Sequence, residues 1–95
     1  MKFEEHCKDS INIFGKPYEF VHKLLDEFAG KPSIGMKHRK FRHNMKFLLE
    51  IKNNFGEEAF NVSKRHVEQD LKEEGWKITD HFPQDENDYV KMGLF

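Results

Sequence analysis

Apolar residues recur every three to four positions along most of the chain, and nowhere do they alternate long enough for a strand. Glycine and proline cut this pattern into helix-sized pieces. The first, Phe3 to Phe14, puts Phe3, Cys7, Ile11 and Phe14 at helical spacing, with Gly15 as a natural stop. Pro17 can open a second helix as its first residue and Gly30 can close it, with Phe20, Val21, Leu24, Leu25 and Phe28 inward. The segment "GKPSIG" reads as a connecting loop. A long third helix is predicted from about Lys37 to Asn53, with Phe41, Met45, Leu48 and Ile51 inward and "NNFG" ending it. The fourth begins near Glu57, where Glu57 and Glu58 suit a positive helix N-terminus. It carries Ala59, Phe60, Val62, Val67 and Leu71 and stops at Gly75. In the tail "WKITDHFPQDENDYVKMGLF", Asp85 or Asn87 can cap one short turn, while Trp76, Phe82, Tyr89 and Leu94 can tie the tail down. Short connections make neighbouring helices roughly antiparallel. The expected fold is all-α: a small bundle of four helices with an extended C-terminal tail carrying at most a short helix, residues 1–95 forming a single domain.

Composition narrows the function classes. Apolar residues make up 37% and charged residues 35%, but ten phenylalanines supply enough burial for a compact fold rather than disorder. Sixteen basic against seventeen acidic residues argue against a general nucleic-acid binder, although a local basic patch can hold a small anionic ligand. The single cysteine, Cys7, excludes an intrachain disulfide and any zinc site needing two thiolates, and reads as a small core residue. No apolar run reaches the roughly 20 residues that span a bilayer, and "MKFEEHCKDS" lacks the apolar centre of a signal peptide. A cytoplasmic protein without membrane contact is expected, in a host's cytoplasm were it phage-encoded. An oligomer is compatible with the sequence.

The informative residues are polar groups on apolar faces. On the fourth helix, His66 and Asp70 fall inside the inward arc together with Ser63. Burying a carboxylate alone is costly, so Asp70 needs a partner or an ion. The second helix repeats the unit: His22 and Asp26 are again four apart, with His22 at the border of the apolar arc and Asp26 further toward solvent. His6 and Ser10 share this spacing on the first helix. In "MKHRKFRHNMKF", His38 lies beside the face of Phe41 and Met45, and His43 points about 140° away from it on a straight helix. Those two histidines therefore do not form a chelating pair there. Arg42 turns toward the side of His38, while Arg39, His43 and Lys46 border the opposite side with Glu50. His81 reads as a surface histidine of the tail.

The segments "EHCKDSINIFG", "VHKLLD", "HRKFRHN" and "RHVEQDL", in that order, resemble an uncharacterised family of small prokaryotic and phage proteins with H-x3-D, H-R-x2-R-H and H-V-x2-D-L motifs. The resemblance covers roughly residues 5 to 72 and implies a common site at His6, Ser10, His22, Asp26, His38, Arg39, Arg42, His43, His66 and Asp70. It implies no particular reaction.

Imidazole and carboxylate are good ligands for zinc, manganese, iron or nickel. The leading expectation is a helical metal-binding protein, with His22, Asp26, His66 and Asp70 at a divalent transition metal and His38 or His43 completing the set. Such a centre suits a hydrolase, with Arg39, Arg42 and Lys46 holding a phosphorylated or nucleotide-type substrate. Two alternatives stay open. One is a phosphate- or nucleotide-sequestering module without turnover, built on Arg39, Arg42, His43 and Lys46. The other is a structural protein in which histidines and aspartates form a buried hydrogen-bond network.

Overall fold

The computed structural model describes residues 2–26, 42–77 and 80–91. Helix α1 runs over Phe3–Phe14, as the spacing predicts. Gly15 ends it in the left-handed region, where its N–H bonds back to the Ile11 carbonyl at 3.0 Å. The inward face of α1 corrects the expectation. Its buried residues are His6 and Ser10, while Cys7 is only half-buried and Ile11 is 49% exposed. The stripe is rotated because α1 docks against imidazole and carboxylate groups, which hydrogen-bonding side chains can satisfy and isoleucine cannot.

Helix α2 spans Glu19–Leu25, so Pro17 precedes the helix instead of opening it. Tyr18 stands at the N-cap with a left-handed backbone, and its hydroxyl donates to the Glu58 carboxylate. Val21 and Leu25 are fully buried, whereas Phe20 lies outside at 46% exposure, edge-on to Phe55. The expected close at Gly30, together with Phe28 and the loop "GKPSIG", lies outside the described residues.

Helix α3 covers Met45–Phe55. The continuous helix expected from Lys37 is interrupted before it, because Asn44 is extended (φ −142°, ψ 162°) and caps the new start. Its Oδ1 accepts from the Phe47 N–H at 3.0 Å. Two more N–H groups of this first turn, on Met45 and Lys46, donate to the carbonyls of Pro83 and Gln84 at 2.9 and 3.0 Å. The tail thus satisfies donors that a helix start leaves unpaired. Phe41 lies outside the described residues, and Leu48 and Ile51 are buried.

Helix α4, Glu57–Glu73, follows α3 across Gly56 alone and packs against α1, α2 and α3. Ala59, Val62, Val67 and Leu71 join Val21, Leu25, Leu48, Ile51 and Trp76 in the apolar core, with Phe60 partly buried against it. From α1 only Phe14, partly buried, packs against that core. Beyond α4, the Trp76 indole N–H donates to the His81 carbonyl at 3.0 Å and its ring meets Phe82 edge-on. Asp85 accepts from the Asp88 N–H and so caps α5, Glu86–Lys91. The result is a small all-α bundle, with no strand among the described residues. Among them no helix is long and apolar enough to cross a membrane.

Gly56 has φ 97° and ψ 176°, a region open essentially to glycine. A Cβ there meets no atom within 4 Å, so the cost of Gly56→Ala is purely that of the backbone. We expect this variant to lose about 1–3 kcal/mol of unfolding free energy in urea melts.

Candidate metal centre

Three helices and the turn before α3 bring their polar residues to one place. His6 and Ser10 come from α1, His22 from α2, Asp26 from its C-cap, His43 from the turn, and His66 and Asp70 from α4. His6, Ser10, His22, His43, His66 and Asp70 are all at most 2% exposed. Asp26 alone of the group reaches solvent, with its side chain 22% exposed. The two H-x3-D units meet directly, because α2 and α4 are neighbours. His22 and His66 face each other through their Nδ1 atoms at 2.8 Å, so one must donate and the other accept.

His66 is the hub. Its Nε2 lies 3.3 Å from Asp26 Oδ1 and 3.2 Å from Asp70 Oδ2. His43 Nε2 is 3.4 Å from the same Asp26 oxygen, and His43 Nδ1 is 3.6 Å from Asp70 Oδ2. The other Asp70 oxygen accepts from His6 Nε2 at 3.1 Å, and Ser10 Oγ lies 2.7 Å from His22 Nε2. The Nδ1 of His6 is buried with no hydrogen-bond partner among the described residues. An unmet acceptor of this kind costs about 1–3 kcal/mol, which the bond to Asp70 must offset.

Two groups of side chains are close enough to hold an ion: Asp26, His43, His66 and Asp70, and separately His6, His22 and His66. Ring orientation separates them. His6 stacks on His66 at 3.6 Å with 17° between planes, and His22 is tilted only 24° from His66. Ligand lone pairs lie in the ring plane, so the face-stacked His6 points its own alongside those of His66, while His22 already meets His66 head-on, Nδ1 to Nδ1 at 2.8 Å. His43 stands edge-on to His66 at 81°, which lets their nitrogens converge. For ligand bonds of roughly 2.0–2.2 Å, neighbouring ligands on a tetrahedron sit roughly 3.3–3.6 Å apart and those on an octahedron roughly 2.8–3.1 Å. The separations of 3.3 and 3.4 Å at Asp26 Oδ1 match the former, and the 3.2 Å between His66 Nε2 and Asp70 Oδ2 falls between the two. Two imidazoles and two carboxylates are a donor set suited to zinc, manganese or iron.

His43 corrects the sequence reading, which aimed it away from the interior. The helix break at Asn44 turns it inward, to 0% exposure. Asparagine directly before an apolar helical run was the available signal, since it is among the best N-cap residues. Arg42 donates to the Leu24 carbonyl at 2.8 Å and lies over the Phe47 ring. Lys46 is exposed on α3, and His38 and Arg39 lie outside the described residues. Ser63 donates to the Phe60 carbonyl of its own helix at 2.8 Å. His81 is exposed and meets Asp88 at 3.0 Å. One neighbour escaped the sequence entirely: Arg65 grips Asp9 with two bonds, at 2.6 and 2.9 Å, tying α1 to α4 beside the cluster. Nothing in periodicity identifies two opposite charges on separate helices as partners.

Charge follows geometry. Burial pushes His22 down to about 3, helped by the charge of His66, and pushes His43 down to about 4 against the pull of Asp26. Burial also disfavours charge on His66, but hydrogen bonds to Asp26 and Asp70 outweigh it and raise its pKa. Burial would raise Asp70, yet His6 and His66 hold it well below the usual carboxylate range. In the ion-free cluster the two carboxylates thus favour the charged form of His66, while burial favours the neutral forms of His22 and His43. An unfolded histidine titrates near 6.5, so below that pH the unfolded chain takes up protons that folded His22 and His43 refuse. Their stabilising contribution is complete above that value and is lost as pH falls toward 4, whereas that of His66 runs oppositely and disappears as pH rises through its raised value. With two groups against one, chelator-treated protein should be less stable at pH 5 than at pH 7 by on the order of 1–3 kcal/mol in urea melts.

No curated protein and no solved structure matches the chain. A family model does match, over residues 1–91, and so takes in α1 to α5 and every member of the cluster. The chain belongs to the family described as "Domain of unknown function (DUF6915)", in agreement with the resemblance to an uncharacterised family.

Proposed function

We propose that the chain is a divalent-metal-binding protein whose ion is held by Asp26, His43, His66 and Asp70. The observation that carries this reading is the gathering of ligand atoms from Asp26, His43, His66 and Asp70 within 4.8 Å of one another, with both carboxylates 3.2–3.3 Å from His66 Nε2. Two buried or half-buried carboxylates around one nitrogen repel each other, and a divalent cation relieves that repulsion better than one proton. Asp26, at the solvent edge, gives the ion a way in. An ion there supplies Lewis acidity toward a phosphoryl or carbonyl oxygen.

We extend the reading to hydrolysis of a phosphorylated or nucleotide-type substrate. Arg42 lines a surface pocket of about 250 Å³ with Leu24, Phe47 and Glu50, and Lys46 is exposed in the first turn of α3. Arg42, already on the Leu24 carbonyl, is a positioned guanidinium of the kind that holds phosphate oxygens.

One observation favours a second reading, a structural network without an ion. His6 bonded to Asp70, and Ser10 to His22 to His66, already join α1, α2 and α4. The two readings part on ion uptake. Protein made without an affinity tag and stripped with chelator should take up one zinc, manganese, iron or nickel ion per chain and melt at a higher temperature. At 100 times the dissociation constant the gain is about 2.7 kcal/mol. Asp70→Asn, close in shape but uncharged, should lose that gain. Absence of stoichiometric uptake for all four ions would sink the metal reading and leave the network. Ion-dependent release of phosphate from nucleotides or phosphomonoesters, lost in Asp70→Asn, tests the hydrolytic extension.

A further inference from the structure

Resting on the metal reading, we infer that His22 and Ser10 are positioning residues that fix His66 as an Nε2 ligand, and that His6 does the same for Asp70. An imidazole that gives one nitrogen to an ion keeps its proton on the other, and that N–H needs an acceptor. His66 turns Nε2 toward Asp26 and Asp70 and Nδ1 toward His22 Nδ1, 2.8 Å away. The His66 Nδ1–H therefore donates to His22. Having accepted at Nδ1, neutral His22 carries its own proton at Nε2, where Ser10 Oγ accepts it at 2.7 Å. The direction of the whole chain follows from the ion's position on Nε2.

His6 acts on the second carboxylate. A carboxylate can only accept, so His6 Nε2 donates to Asp70 Oδ1 at 3.1 Å. That bond fixes the Asp70 plane and turns Oδ2 toward His66 Nε2. Stacking at 3.6 Å then holds the His6 and His66 rings in register, so the two orienting groups support each other. All three positioning residues are at most 2% exposed, which keeps water from competing for these bonds.

The test is the zinc-loaded full chain, with histidine ring nitrogens followed by ¹⁵N NMR. His66 should show a protonated Nδ1 and a metal-bound Nε2; zinc on Nδ1 overturns the inference while leaving a metal protein. Asparagine places an acceptor close to the position of histidine Nδ1, and leucine places none. His22→Leu should therefore weaken zinc binding about 10–100-fold, the usual effect of losing such a partner, and His22→Asn should restore most of it. Equal affinities for the two variants, high or low, overturn the acceptor role. Ser10→Ala changes little volume and covers the case in which His22→Leu does not fold. It should bind zinc several-fold more weakly with an unchanged far-ultraviolet spectrum, and wild-type affinity there removes Ser10 from the chain. No zinc uptake by the wild-type protein sinks this inference together with the reading beneath it.

Discussion

The fold turns on how Asp70 is kept ionised inside the protein. A buried carboxylate needs donors on both oxygens, or its desolvation outweighs anything the surrounding packing returns. Here His6 serves one oxygen and His66 the other, from two different helices. That requirement places α1 against α4 and makes the inner face of α1 polar. It explains why Ile11 and Ile13 are turned out although a hydrophobic stripe could have been built from them. The bundle has two halves as a result. An apolar half joins α2, α3 and α4 around Leu25, Leu48, Val62 and Leu71, and a polar half joins α1, α2 and α4 around the imidazoles.

The two halves obey different rules. Apolar contacts tolerate small changes in angle and depend mainly on volume. The polar half depends on direction, since each ring nitrogen is either donor or acceptor and one reversed proton breaks a chain of bonds. Directional constraint of this kind is expensive for a chain of 95 residues with a modest core. Spread across three helices, it sets side chains that could hold an ion in fixed positions. Asp26 fits that view, because it is drawn into the same group while remaining at the surface.

Much of this was legible from spacing. The bounds of α1 and α4 follow from apolar periodicity ended by Gly15 and Gly75, and His66 and Asp70 lie within the arc of Val62, Val67 and Leu71. Periodicity also flagged His6, Ser10 and His22, because each borders an apolar stripe. It went astray wherever a face was decided by a polar partner on another helix. Ile11 looks inward by hydrophobicity, yet it lies 49% exposed while His6 and Ser10 take the inner face of α1. His43 was misdirected for a different reason. The apolar period runs uninterrupted through Asn44 and predicts one straight helix, but a cap residue inside such a pattern changes the direction of everything before it. Whether H-x3-D units on separate helices meet is a matter of helix order, which no local pattern encodes.

The carbonyls of Pro83 and Gln84, bonded to the first N–H groups of α3, connect the far end of the chain to the place where His43 is turned inward. A nascent chain that has not yet passed Gln84 has all seven side chains of the cluster but lacks these clamps on the turn that aims one of them. The donor set is thus complete in composition well before it is complete in geometry. Backbone atoms of the tail, far from the cluster in sequence, thus brace the turn that carries His43.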